Sequence, residues 1–280
     1  MKEVNSIPIG MAQWLAKDRN ACPKFNLSLM RFHSLSISLS LLISEAHMKI
    51  LEPFRKCSHC NSLSKCLFKN LDAGALFEIE KIKRINLYRK GSILFSQDSP
   101  ALGLYVIAKG KLKVSTIDYE GREHISYLAT VGDIFGHHDI FIEGTHRYST
   151  TTLEDSMVCF IDKISVQKIL ELNPRLFQNI FERFNFELDG LRAHEQSVIS
   201  KKAKARVAEL LVQLAKQEIE NKHEKIKIAA NLTRVEMASM VGIASETLIR
   251  LLSEFKNEGI IEISGKSLTI LDEKKLLTFA

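Results

Sequence analysis

Between residues 82 and 159 apolar positions come in short runs punctuated by glycine, and beyond residue 174 they change to a helical spacing. The runs Ile93–Phe95, Gly103–Ile107, Lys111–Ile117, His124–Ala129 and Ser156–Ile161 predict strands, with Gly91, Gly110, Gly121, Gly132, Gly136 and Gly144 at the turns. Short, evenly spaced strands of this kind predict an antiparallel barrel or roll. Pro174, after Asn173, suits the first turn of a helix. Past it, Phe177, Phe181, Phe184, Leu188, Leu191, Glu195 and Val198 recur at alternating intervals of four and three. That is a heptad seam broken by one charge, expected to bury its stripe against the same helix of a second copy. Residues 201–220 continue as a second helix with charges along one face.

The C-terminal pattern is that of a helix-turn-helix. Thr233 and Glu236 make a capping box that starts a helix running to Met240, and Gly242 supplies a permissive turn. A second helix is expected from Ser245 to Glu258, ended by Gly259. Ile260–Ser264 and Ser267–Leu271 then read as a hairpin around Gly265-Lys266, completing a winged module. On the second helix Glu246 and Arg250 stand one turn apart. Arginine can grip guanine O6 and N7, and a carboxylate can accept from a cytosine amino group. The same two residues also read as an exposed i, i+4 ion pair. Thr233 and Ser245, at the helix starts, join the DNA-facing set. Lys201, Lys202, Lys204, Arg206 and Lys266 read as phosphate contacts or as a solvated face.

Composition narrows the class. The 280 residues are 45% hydrophobic and 26% charged, with a net charge of +6, as for a globular protein suited to a polyanionic partner. No glycine-rich phosphate loop, Ser/His/Asp set or paired-carboxylate motif appears, so an enzyme is not expected. Residues 1–47 have no clear period and read as an unstructured leader or a mis-assigned start. Within them Ser34–Ser44 is too short to span a bilayer and lacks a signal-peptidase site, so no membrane role is expected. Five cysteines in a chain this large, without a secretory signal, read as reduced thiols in a cytoplasmic protein.

Four of those thiols carry candidate chemistry. Cys57, Cys60 and Cys66 form a C-x2-C-x5-C run, and Cys159 lies on the last predicted strand. Thiolates favour zinc or an iron–sulfur cluster, and a C-x2-C pair lets one turn offer two sulfurs to one centre. Spacing alone fits either group, and Cys159 also reads as a buried strand cysteine. Cys22 is a spare thiol and His59 a solvent-facing residue. His137 and His138 are adjacent in a loop, where side chains rarely converge on one ion, so they are not read as ligands.

The glycine-punctuated roll, the seam helix and a winged helix-turn-helix with Glu246-Thr247-x-x-Arg250 resemble the Crp/Fnr transcription regulators over residues 50–275. The resemblance implies an α+β chain. Residues 48–172 would hold the cysteine segment and a cyclic-nucleotide-binding-like β-roll, 173–200 a dimerisation helix, and 201–280 the DNA-binding domain. Within the family the cysteine run is similar to that of the iron–sulfur fumarate and nitrate regulators. This implies a [4Fe–4S] cluster on Cys57, Cys60, Cys66 and Cys159, present without oxygen and favouring a homodimer on palindromic double-stranded DNA. Half-sites would resemble TTGAT–ATCAA, with Arg250 on the guanine and Glu246 on the paired cytosine or a neighbour. The loop Asp118–His124 would touch RNA polymerase. A zinc-stabilised regulator without oxygen sensing is the alternative.

Departures from the family pattern sharpen these expectations. Ile249 stands where a small polar residue is usual on the recognition helix. Ala244 replaces the usual Ser or Thr cap and leaves that job to Ser245. Gly136-His137 and Arg147-Tyr148 replace the Gly-Glu and Arg-Ser of nucleotide-binding relatives, so cyclic AMP is not expected. Glu195 brings a charge to the seam, where like charges would meet across a two-fold axis unless it pairs with Arg192 or points to water. Glu195→Leu is therefore predicted to tighten pairing, read by equilibrium sedimentation; unchanged dimerisation removes the repulsion.

Overall fold

Among the described residues the region read as a roll holds eight strands. They are β1 (Arg84–Tyr88), β2 (Ile93–Phe95), β3 (Gly103–Lys109), β4 (Leu112–Ile117), β5 (Glu123–Ala129), β6 (Ile134–Phe135), β7 (Ser149–Thr152) and β8 (Ser156–Asp162). They pair antiparallel in two sheets, ordered β1-β8-β3-β6 and β2-β7-β4-β5. Apolar side chains from both sheets, among them Phe95, Tyr105, Ile107, Leu112, Phe135 and Val158, form one core cluster. Side chains alternate across a strand. Cys159, between the inward Val158 and Phe160, therefore faces the other side of its sheet, as does its register partner Val106.

This computed structural model describes residues 54–60, 62–139, 141, 144–218, 226–228, 232–265 and 267–280. The predicted leader at residues 1–47, with Cys22, and the candidate phosphate contact Lys266 lie outside the described residues. The chain divides into two compact units, Met1–Cys60 and Asn61–Ala280. In the first, Cys57–His59 forms a short 3-10 turn, closed by the Cys60 N–H donating to the Cys57 carbonyl at 3.1 Å.

The second unit continues into helices. Two of them, α1 (Ala73–Ile82) and α2 (Lys163–Leu172), start at aspartates whose carboxylates accept backbone N–H groups, Asp72 from Ala75 at 2.8 Å and Asp162 from Ser165 at 3.0 Å. Next comes α3 (Pro174–Ser200), 27 residues long and proline-led as the sequence predicts. The C-terminal part comprises α4 (Ala203–Glu218), β9 (Ile226–Ile228), α5 (Arg234–Val241), α6 (Ser245–Asn257), β10 (Ile261–Ser264), β11 (Ser267–Ile270) and α7 (Glu273–Leu277). The expected wing hairpin β10-β11 gains β9 as a third strand. The α+β class is as expected: a roll, a long helix and a winged module.

Three polar side chains, one helical turn apart, fasten α3 to the roll side of the molecule. Asn179, buried, donates its amide to the carbonyls of Leu67 (2.7 Å) and Lys69 (2.9 Å). Arg183 pairs with Asp133 at 2.7 Å, in the turn between β5 and β6. Glu187 meets His137 and His138, just after β6. The segment beneath Asn179 is also held elsewhere: the Ser62 hydroxyl donates to the Ala108 carbonyl of β3 at 2.8 Å. Gly132, at φ +94°, closes on the same segment so tightly that a Cβ would lie 2.3 Å from the Lys65 carbonyl oxygen.

The roll and the winged module share apolar packing. Ile125, Leu128 and Leu153 of the roll belong to the same buried cluster as Val207, Leu211, Leu248 and Phe255. Polar contacts accompany it: the Ile125 N–H donates to the Ser239 hydroxyl at 3.0 Å, and Lys113 bridges Glu123 and Glu236, both at 2.8 Å. Truncating Asn179 would leave two carbonyls without their donor. Asn179→Ala is predicted to cost about 1–3 kcal/mol of stability, measured by urea unfolding.

Candidate functional site

The DNA-reading end starts from the predicted capping box. Thr233 caps α5, its hydroxyl accepting from the Glu236 N–H at 3.2 Å while Glu236 accepts from the Thr233 N–H at 2.7 Å. Gly242, in the left-handed region at φ +71°, ends α5 and lets the chain turn into α6. The N-cap of α6 is Ala244, which offers no side-chain hydrogen bond. Ser245, expected to take over the capping, is instead the first residue of the helix.

On α6, Glu246, Ile249 and Arg250 are all exposed. The ion pair anticipated between Glu246 and Arg250 does not form; Arg250 pairs with Glu254, one turn further on. Glu246 thus keeps its carboxylate clear of Arg250 at the N-terminal turn. Arg206, expected on phosphate, has another occupation. Its guanidinium donates to the carbonyls of Val198 (3.2 Å), Lys201 (3.1 Å), Val241 (3.2 Å) and Gly242 (3.5 Å). It thereby ties the end of α3 to the turn of the helix-turn-helix. Lys204 pairs with Glu258 at 2.8 Å and lies over the Phe279 ring.

Along α3 the seam residues Phe177, Phe181, Leu188, Leu191, Glu195 and Val198 are exposed, so an apolar stripe is uncovered within the chain. Phe184 departs from that set. It is half-buried, its ring 5.0 and 4.6 Å from those of His137 and His138, and so packs inside its own chain. Glu195 is not paired with Arg192, whose partner is Asp189 at 3.4 Å.

Of the four candidate cysteines, Cys57 and Cys159 are buried, and Cys60 and Cys66 are half-buried. Cys57 opens one 3-10 turn and Cys60 caps it, as the C-x2-C spacing implies. Cys66 follows a second such turn, Leu63–Lys65, and its N–H donates to the Leu63 carbonyl at 3.1 Å. Its neighbours are the anchored ones: Lys65 against Gly132, and Leu67 under Asn179. Cys159 is buried on β8, paired with Ile85 of β1 and Val106 of β3. Ala108, which receives Ser62, lies two residues beyond Val106 on that same strand.

The histidine pair behaves differently from its sequence reading. Gly136, at φ +78°, and the Asp139 N–H donating to its carbonyl at 3.0 Å turn the chain so that the two rings come within 4.1 Å. Both Nε2 atoms address one oxygen: His137 and His138 lie 3.1 and 2.8 Å from Glu187 Oε2. The other oxygen, Oε1, accepts from Arg183 Nε at 2.7 Å. Burial pushes the fully buried His137 down, against the pull of Glu187. For Glu187 burial acts upward, but the hydrogen bonds from His137, His138 and Arg183 hold its carboxyl well below the usual carboxylate range.

Comparison with known proteins agrees with this architecture. A cyclic nucleotide-binding domain model matches residues 85–173 and a Crp-like helix-turn-helix domain model matches residues 205–279. Electron transport regulator A of Shewanella oneidensis is 28% identical over 221 residues, covering 79% of this chain and 88% of that protein. The fumarate and nitrate reduction regulatory protein of Vibrio cholerae is 28% identical over 225 residues, covering 80% and 90% respectively. The structure of FixK2 from Bradyrhizobium japonicum superposes with a TM-score of 0.62 at 22% identity, covering 71% of this chain and 97% of that one. Among the described residues no helix is long and apolar enough to cross a membrane. With its roll and its winged helix-turn-helix each matched in place, the chain belongs to the Crp/Fnr family: it is a DNA-binding transcription regulator and not an enzyme.

Proposed function

We propose that this regulator responds to oxygen through an iron–sulfur centre held by Cys57, Cys60, Cys66 and Cys159, and acts on palindromic DNA as a homodimer. The donor set fits: cysteine sulfurs, two of them offered by one turn, are the soft ligands that a [4Fe–4S] cluster takes. When bound, such a cluster would supply sensitivity to oxygen. The names of the relatives, an electron transport regulator and a fumarate and nitrate reduction regulator, point the same way.

The observation that carries the reading is the anchoring of Cys66. Its two neighbours in sequence are pinned, one against Gly132 of the roll and the other beneath Asn179 of α3. A change in how the cysteine segment is held therefore pulls on the helix that carries the exposed apolar stripe. Phe177, Phe181, Leu188, Leu191 and Val198 of that stripe would pair with a second copy. Only the pair spans two half-sites. In each copy α6 would enter the major groove, with Arg250 and Glu246 on base edges and Thr233 and Ser245 near the backbone. The loop Asp118–His124, where Tyr119 is 96% exposed, would be the surface offered to RNA polymerase.

Protein purified without oxygen is predicted to be coloured, to bleach in air, and to shift a palindromic duplex only before exposure. A colourless, zinc-containing protein that binds DNA equally in air would mean a regulator without oxygen sensing. Arg250→Ala is expected to cost about 1–3 kcal/mol in affinity for the specific duplex, with little change on random DNA, in gel-shift titrations at fixed salt.

A further inference from the structure

We propose that His137, His138 and Glu187 form a second metal site, separate from the cysteines, which takes a divalent first-row transition ion such as zinc and clamps the long helix to the roll. Among the described residues this is the group whose three ligand atoms all lie within 4.8 Å of one another. Two imidazole nitrogens and one carboxylate oxygen suit Zn2+ and its neighbours, and leave a coordination position open. Hard cations that prefer an all-oxygen shell are not suited.

The surroundings are those of a supported site. Glu187 offers Oε2 to the histidines because Oε1 is occupied by Arg183, and Arg183 is itself oriented by Asp133 at 2.7 Å. A carboxylate turned by a fixed outer partner is the arrangement that metal ligands require. The backing is rigid on the other side too, where Phe184 packs on both rings. His137 is fully buried, and its Nδ1 has no hydrogen-bond partner. The Glu187 carboxylate, an acceptor, keeps the His137 proton on Nε2, and the open Nδ1 can receive it when an ion takes Nε2. Binding replaces the Nε2 proton of each neutral ring, which moves to Nδ1, and no oxidation is involved.

The ligands come from two elements, the loop after β6 and the middle of α3, so an ion here would hold the helix in one position against the roll. Zinc titration by calorimetry tests this in the full-length chain with Cys57, Cys60, Cys66 and Cys159 replaced by serine, which removes the competing thiolates. One zinc per chain is expected. Glu187→Gln and His138→Ala should weaken binding by roughly 100-fold or abolish it, and Asp133→Asn by roughly tenfold. Should the serine background not fold, the chain with intact cysteines gives the same answer: its zinc stoichiometry should fall by one in Glu187→Gln. Added zinc should also raise the melting temperature of the parent and not of Glu187→Gln. Zinc binding that is absent, or that Glu187→Gln leaves unchanged, overturns the site without touching the cysteine reading.

Discussion

Asn179, Arg183 and Glu187 recur every four residues on the long helix, and each reaches a different part of the chain below it. The spacing puts all three on one face. Asn179 takes the cysteine segment, Arg183 the β5–β6 turn, and Glu187 the histidine loop. The middle contact joins the outer two, because Gly132 and Asp133 are consecutive. One presses on Lys65 and the other binds Arg183. The long helix therefore cannot shift along its axis without disturbing every one of these partners. With its polar face bolted down in this way, the apolar stripe is left outward. At the far end Arg206 carries the same continuity into the turn of the helix-turn-helix.

Much of the fold was legible because its signals are local. Pro174 marked the start of α3, and Thr233 with Glu236 fixed the start of α5 as the capping box it is. The glycines at 91, 110, 121, 132 and 136 all adopt positive φ, as turn residues between strands do. What escaped lacked such a signal or lay below a threshold. β7 reads Ser-Thr-Thr-Thr and is buried through hydroxyls, so no apolar run betrays it, and β6 has only two residues. The helices α1 and α2 carry a local signal in capping Asp72 and Asp162, but each is short and follows closely on the cysteine segment or on β8.

At the candidate sites the split is the same. Glu246 and Arg250 were readable as exposed recognition-helix residues, whereas the choice of Glu254 as partner for Arg250 depends on rotamers that spacing does not specify. Arg206 looked like any other basic residue; its carbonyl partners come from two separate places in the chain, the end of α3 and the turn that ends α5. The histidine pair was set aside by a sound rule about adjacent side chains. What that rule leaves out is that Gly136 bends the loop, and that Glu187, whose one oxygen both rings address, stands fifty positions away on another element.

Glu236 serves two masters, since one oxygen closes the cap of its own helix while the other meets Lys113 of the roll. If the winged module swung away, Lys113 would still have Glu123 and Glu236 would still have Thr233. Neither charge would be stranded, so separation forfeits little in electrostatics. The resistance would come from uncovering Ile125, Leu128 and Leu153, each worth about 1.5–3 kcal/mol when fully enclosed. Grease, then, and not salt, sets how firmly the reading head is parked, and ionic strength should have little say in when it is released.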